Sequence, residues 1–154
     1  MWNKNVEVFM GCDTQPDQAE TILFGAPFDS TTSYRPGTRF GSGAIRHESF
    51  GIETYSPYQD RDLQDTLTAD LGDLELCFGD VSKALADIEA QTQQIVKAGK
   101  RPFMLGGEHL VTLGAFRAVA KAFPELRVIH FDAHADLRQD DLGVTLSHAC
   151  VLGS

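Results

Sequence analysis

The sequence is short of several things, and each shortage removes a class of function. Cysteine is scarce: Cys12, Cys77 and Cys150 are odd in number, widely spaced and form no C-x-x-C. That excludes a disulfide scaffold or a zinc knuckle and points to a reducing, cytoplasmic setting. No apolar run reaches the length of a membrane helix, so no membrane partner is expected. The first ten residues lack the basic start and apolar stretch of a signal peptide. Basic charge is in deficit, with 13 Lys and Arg against 22 Asp and Glu and a formal net charge of -9. An acidic chain is repelled by nucleic acid, which is therefore not an expected partner. Internal repeats and low-complexity stretches are also absent.

What is present suits one ordinary globular domain. The chain has 154 residues, 42% of them hydrophobic and 23% charged, enough to bury a core. The acidic excess lies wholly in residues 1–80, where 14 acidic side chains face 5 basic ones. Asp60, Asp62, Asp65, Asp70, Asp73, Glu75 and Asp80 read as a solvated surface. Four of the five histidines, His109, His130, His134 and His148, fall in the second half.

The apolar run 21–28 predicts a buried strand closed by Pro27 and Asp29, and residues 67–71 a second short strand. Residues 30–43, with four hydroxyl residues and then Gly37, Gly41 and Gly43, predict a long loop. Residues 81–98 carry helical periodicity, with Asp80 or Ser82 as cap and Gly99 just past the end. A strand over 101–105, a helix over 110–123 stopped before Pro124, and a strand over 127–131 follow. Strands alternating with helices predict an α/β fold with a mainly parallel sheet. Ligands of such sheets gather at the carboxyl ends of the strands.

Polar groups stand at two of those ends, Glu108-His109 and Asp132-Ala133-His134-Ala135-Asp136. In extended chain, residues 132, 134 and 136 share one face, and the two alanines leave room between them. Two imidazoles and two carboxylates suit a divalent ion, with the carboxylates favouring Mn2+ over a thiolate-seeking metal. A carboxylate can also bridge two ions. A salt-bridge cluster around Arg138 is the alternative reading. A calcium loop starting at Asp132 fails, since its sixth and twelfth positions are Leu137 and Gly143. Gly106-Gly107 matches no phosphate-loop pattern and is read as a tight turn. His130, inside the expected strand, is read as a core or near-core histidine, and His47 receives no role. His148 follows a polar loop and is either a surface residue or a proton shuttle.

Gly106-Gly107-Glu108-His109 and Asp132-Ala133-His134-Ala135-Asp136 together resemble the metal signatures of the arginase/agmatinase (ureohydrolase) family. Gly25-Ala26-Pro27, the stretch Ser33-Tyr34-Arg35-Pro36-Gly37-Thr38-Arg39-Phe40-Gly41, Ala44-Ile45-Arg46, Asp136-Leu137-Arg138 and Ser147-His148-Ala149 resemble its agmatinase branch. The resemblance implies a three-layer α/β/α fold and two Mn2+ ions bridged by hydroxide. It further implies that His109, Asp132 and Asp136 hold one ion, that His134 and the bridging Asp132 hold the other, and that His148 binds substrate or relays a proton. Glu108 would support the site from outside the ligand set. The implied reaction is hydrolysis of a linear guanidinium compound, most simply agmatine to putrescine and urea. A trimer or hexamer is implied for the full-length protein.

Some positions depart from the family pattern. Ser42 stands where Pro is usual, Leu110 where Ser is common, and Gln139-Asp140-Asp141 replaces an acidic-aromatic stretch. The family's second half carries a D-x-D motif that completes both metal spheres, and nothing after Val151 supplies it. Residues 1–154 are therefore expected to be the N-terminal part of a single ureohydrolase-like domain, with an incomplete sheet. An inactive truncated fragment, or a metal-binding module lacking the second-half ligands, is the competing expectation. The related metal-dependent deacylases share the fold but not the branch motifs.

Overall fold

The computed structural model describes residues 1–4 and 6–153. Asn5, within the N-terminal stretch, and Ser154, at the end of the expected domain span, lie outside the described residues. The elements in chain order are β1 (Trp2–Asn3), β2 (Thr21–Gly25), α1 (Gly41–Ser49), β3 (Tyr55–Ser56), β4 (Arg61–Asp62), β5 (Thr68–Leu74), α2 (Val81–Lys97), β6 (Arg101–Leu105) and α3 (Val111–Ala122). Four strands form one sheet in the order β1-β5-β2-β6. β2 runs parallel to both β5 and β6, and β1 closes the edge antiparallel to β5. β3 and β4 form a separate two-stranded ribbon.

The main core lies between the sheet and the α2–α3 pair. Ile22, Phe24, Ala69 and Leu74 from the strands meet Ala84, Ile88, Ile95 and Val111 from the helices, all buried. Burial of a side chain such as Phe24 contributes about 1.5–3 kcal/mol. α2 starts where Asp80 accepts a hydrogen bond from the Lys83 N–H at 2.9 Å, as an N-cap should. α3 crosses α2 closely at Gly114, where a Cβ would press on the Leu85 carbonyl and the Ile88 side chain. On the opposite face Leu23 and Leu105 meet Cys12, Phe9 and Leu63, with Ile45 of α1 nearby. Helices thus stand on both faces of a mostly parallel sheet, an α/β layering whose sheet is incomplete.

Three expectations are corrected. The predicted loop 30–43 ends early, because α1 begins at Gly41. The buried residues of α1 are Ser42, Arg46 and Ser49, so no apolar periodicity announces it. Tertiary bonds hold it instead. Arg46 Nε and Nη2 donate to Asp70 at 2.7 and 2.9 Å, and Nη1 donates to Asp73 at 2.6 Å. For the same reason Asp70 and Asp73 are not solvated surface: the Asp70 side chain is fully buried and that of Asp73 is 11% exposed.

The third correction concerns residues 127–131, which form no strand and leave β6 at the sheet edge. The segment lies near Pro102, Met104 and α3 without joining the ladder. Val128, Ile129 and Phe131 are 49%, 80% and 94% exposed. A strand in a parallel sheet is stabilised by cover on both faces, and among the described residues nothing covers this one. His130 consequently lies outside the core: the residue as a whole is exposed, although its side chain, stacked on His109, is only 26% exposed.

Candidate metal centre

The site gathers beyond the carboxyl end of β6. There the chain turns through Gly106-Gly107, and the Glu108 N–H donates to the Phe28 carbonyl at 2.7 Å. A Cβ on Gly107 would collide with the Phe28 backbone, so glycine is required for this approach. The turn delivers His109, whose side chain is 23% exposed.

Four side chains converge. His109, His130, Asp132 and Asp136 each offer one donor atom, and these atoms all lie within 4.8 Å of one another. His109 Nδ1 stands 2.6 Å from Asp136 Oδ2. His130 Nε2 is 3.7 Å from Asp132 Oδ2, and the rings of His109 and His130 stack at 5.3 Å. Two imidazole nitrogens and two carboxylates form a donor set that suits a divalent first-row ion. Two carboxylates gathered this closely repel, which a cation between them would relieve.

The backbone here is not the extended chain expected from the alternating spacing. The His134 N–H turns back to Asp132 Oδ1 at 2.8 Å. Asp136 has φ of 49°, a left-handed conformation that Asp tolerates better than most residues. Strained backbone of this kind concentrates at functional sites. The turn separates the three residues. Asp132 and Asp136 face His109, while the His134 side chain is 81% exposed and lies 3.5 Å from Asp132 Oδ1. Asp132 therefore stands between two groups, its Oδ2 toward His130 and its Oδ1 toward His134. Its carboxyl is held below the usual range, chiefly by the His134 backbone N–H and further by the three neighbouring imidazoles, against an opposing effect of burial.

His148 opens a short 3-10 turn, Ser147 being the cap. It lines an open cleft of about 770 Å3 with Ser33, His134, Asp136, Arg138 and Asp141. Arg138 pairs with Asp141 at 2.9 Å, so the salt bridge expected as an alternative exists at the rim, beside the four-donor group. Glu108 is 6% exposed. It does not bond to His109; it accepts from the Thr31 N–H at 2.7 Å and from the Thr31 hydroxyl at 2.5 Å.

Two features carry no readable signal in the sequence. The position of His130 depends on a strand over 127–131 that does not form. Thr31 carries no local signal, since its partner Glu108 lies 77 residues away. The His47 side chain pairs with Glu7 on the surface. Among the described residues no helix is long and apolar enough to cross a membrane.

The profile of the arginase family matches residues 19–154. The agmatinase of Bacillus subtilis (strain 168) is 48% identical over 143 residues, 93% of this chain and 49% of that protein. The crystal structure of the agmatine ureohydrolase of Thermoplasma volcanium superposes with a TM-score of 0.87 at 34% identity, covering 96% of this chain and 49% of that one. The proclavaminate amidino hydrolase from Streptomyces clavuligerus gives 0.87 at 33% identity, covering 97% and 50%. The chain spans about half the length of the relatives it matches.

Proposed function

The chain belongs to the arginase family, and on that premise we propose that it is the N-terminal part of a metal-dependent hydrolase of linear guanidinium compounds. Agmatine is the first candidate substrate: one water is consumed, the carbon–nitrogen bond to the chain is broken, and putrescine and urea are released. The observation that carries this reading is the convergence of His109, His130, Asp132 and Asp136 beside a cleft that His148 lines.

In this proposal His109, Asp132 and Asp136 would hold one Mn2+, Asp132 with His134 would hold a second, and His130 would stack on His109 beside them without being a ligand. Asp132 lies between the His109–Asp136 pair and His134, which supports giving it the shared role. When bound, the ions supply a water acidic enough to act near neutral pH. That matters because charge delocalisation makes the guanidinium carbon a poor electrophile.

The chain's own residues do the rest. His148, which lines the same cleft as Asp136, is the residue proposed to exchange a proton with the departing amine, which must leave protonated. Histidine suits that task because its ordinary pKa lies close to the working pH.

The test is urea release from agmatine by the full-length protein with added Mn2+, with arginine and guanidinobutyrate in parallel. Metal-dependent urea formation from agmatine is expected. No urea from any of the three would overturn the reading.

A further inference from the structure

Beyond the residues of the proposed metal centre, one buried carboxylate is spent on a connection of its own. Glu108 directs both carboxylate oxygens onto one residue: Oε1 accepts the Thr31 N–H at 2.7 Å and Oε2 accepts the Thr31 hydroxyl at 2.5 Å. The carbonyl of the same Thr31 lies 2.9 Å from His148 Nδ1, across 117 residues of sequence. A carbonyl oxygen only accepts, so His148 Nδ1 must carry the hydrogen in this bond. The Ser147 hydroxyl, at 3.3 Å from the same nitrogen, is farther away and can accept as readily as donate.

We propose that Thr31 and Glu108 are positioning residues for His148. Glu108 clamps Thr31, and the Thr31 carbonyl fixes both the orientation of the His148 ring and its Nδ1–H tautomer. That leaves Nε2 as the single nitrogen at which the neutral ring takes up a proton, and through which it later gives one back. The clamp is itself anchored on both sides. The Glu108 N–H donates to the Phe28 carbonyl. Asp29, 2% exposed, accepts from the Gly37 N–H at 2.6 Å and from Arg39 Nε at 2.6 Å, tying down the loop that carries Thr31. Arg39 in turn lies 4.3 Å from the centre of the Phe78 ring, which stacks on Phe28. A long loop is thereby made rigid where the histidine needs a fixed acceptor. The catalytic consequence rests on the role of His148 proposed above; the tautomer does not.

The experiment has two arms, both on the full-length protein. In the first, histidine-selective 15N labelling with a diamagnetic divalent cation bound reads the tautomer of His148, its signal assigned by loss in His148→Gln. The expected result is an Nδ1–H signature in the neutral ring. An Nε2–H signature overturns the proposal whether or not the protein releases urea. In the second arm, Thr31→Val removes one bond of the clamp and Thr31→Ser retains it. Thr31→Val is expected to mix the His148 tautomers and lower kcat about tenfold with KM within about twofold, and Thr31→Ser to restore both. Unchanged tautomer populations in a folded Thr31→Val overturn the clamp. Should Thr31→Val not fold, the wild-type tautomer decides the matter.

Discussion

The molecule has two corners rich in carboxylates, and they differ in what faces the charge. In the first, beside α1, Asp70 and Asp73 meet the buried guanidinium of Arg46, and nearby Asp29 meets Arg39. Each carboxylate is matched by a fixed cation and bound by several donors, so nothing remains to attract a ligand. In the second, the side chains facing Asp132 and Asp136 are imidazoles, with one backbone N–H on Asp132, and Asp132 is 35% and Asp136 15% exposed. Imidazole offers a lone pair as readily as a proton. Arginine-paired carboxylates therefore hold the fold, and imidazole-faced carboxylates at the strand end remain free to take a cation.

That contrast predicts opposite phenotypes. The largest effect is on activity: Asp132→Asn in the full-length protein is expected to lower urea formation about 10³-fold, the loss of some 4 kcal/mol of ion-dependent stabilisation. Its melting temperature without added metal should stay close to wild type. Thermal unfolding of both forms beside steady-state rates checks the pair of statements.

Next in size is stability. Arg46→Ala strands Asp70 and Asp73 and is expected to cost about 3–5 kcal/mol, seen as a lower midpoint in urea denaturation. An unchanged midpoint would erase the distinction between the corners.

A smaller effect follows from Asp29. Its carboxyl is held below the usual range, first by the hydrogen bond from Arg39 and then, against the effect of burial, by the Gly37 and Arg39 backbone N–H groups. A depressed carboxyl stabilises the fold fully above its unfolded pKa, about 3.9, and that stability is lost as pH falls through the lower folded value. Asp29→Asn should therefore lose stability at neutral pH and show a shallower decline on acidification. Acid titration followed by circular dichroism measures both slopes.

The smallest effect concerns the thiols. Burial, and then the nearby Asp70 and Asp13, push the Cys12 thiol up to about 11, whereas Cys77 is exposed. A thiol reagent at neutral pH should label Cys77 at once and Cys12 only after unfolding. Rapid labelling of Cys12 in the native protein would mean that the face beside the Arg46 corner opens easily.

How far these corners were legible in the sequence follows from where their information lies. α2 and α3 bury apolar faces at helical spacing, and β2 and β6 are short apolar runs, so periodicity finds them. α1 buries Ser42, Arg46 and Ser49, and its partners on β5 are more than twenty residues away; no local pattern encodes that. The donor types at 109, 132 and 136 are readable as a motif, and these three side chains come together in space. The separation of His134 from them, and the arrival of His130, depend on a backbone turn at Asp132 and Asp136 that alternation does not foresee. The apolar residues at 127–131 predict a strand, but a strand in a parallel sheet also needs cover on its faces, which its own residues do not encode.

The most direct test of the imidazole-faced corner is metal stoichiometry. The full-length protein, equilibrated with Mn2+ and freed of excess, should retain two ions per chain by elemental analysis, and Asp132→Asn should retain one or none. Two ions retained in a folded Asp132→Asn variant would contradict the account.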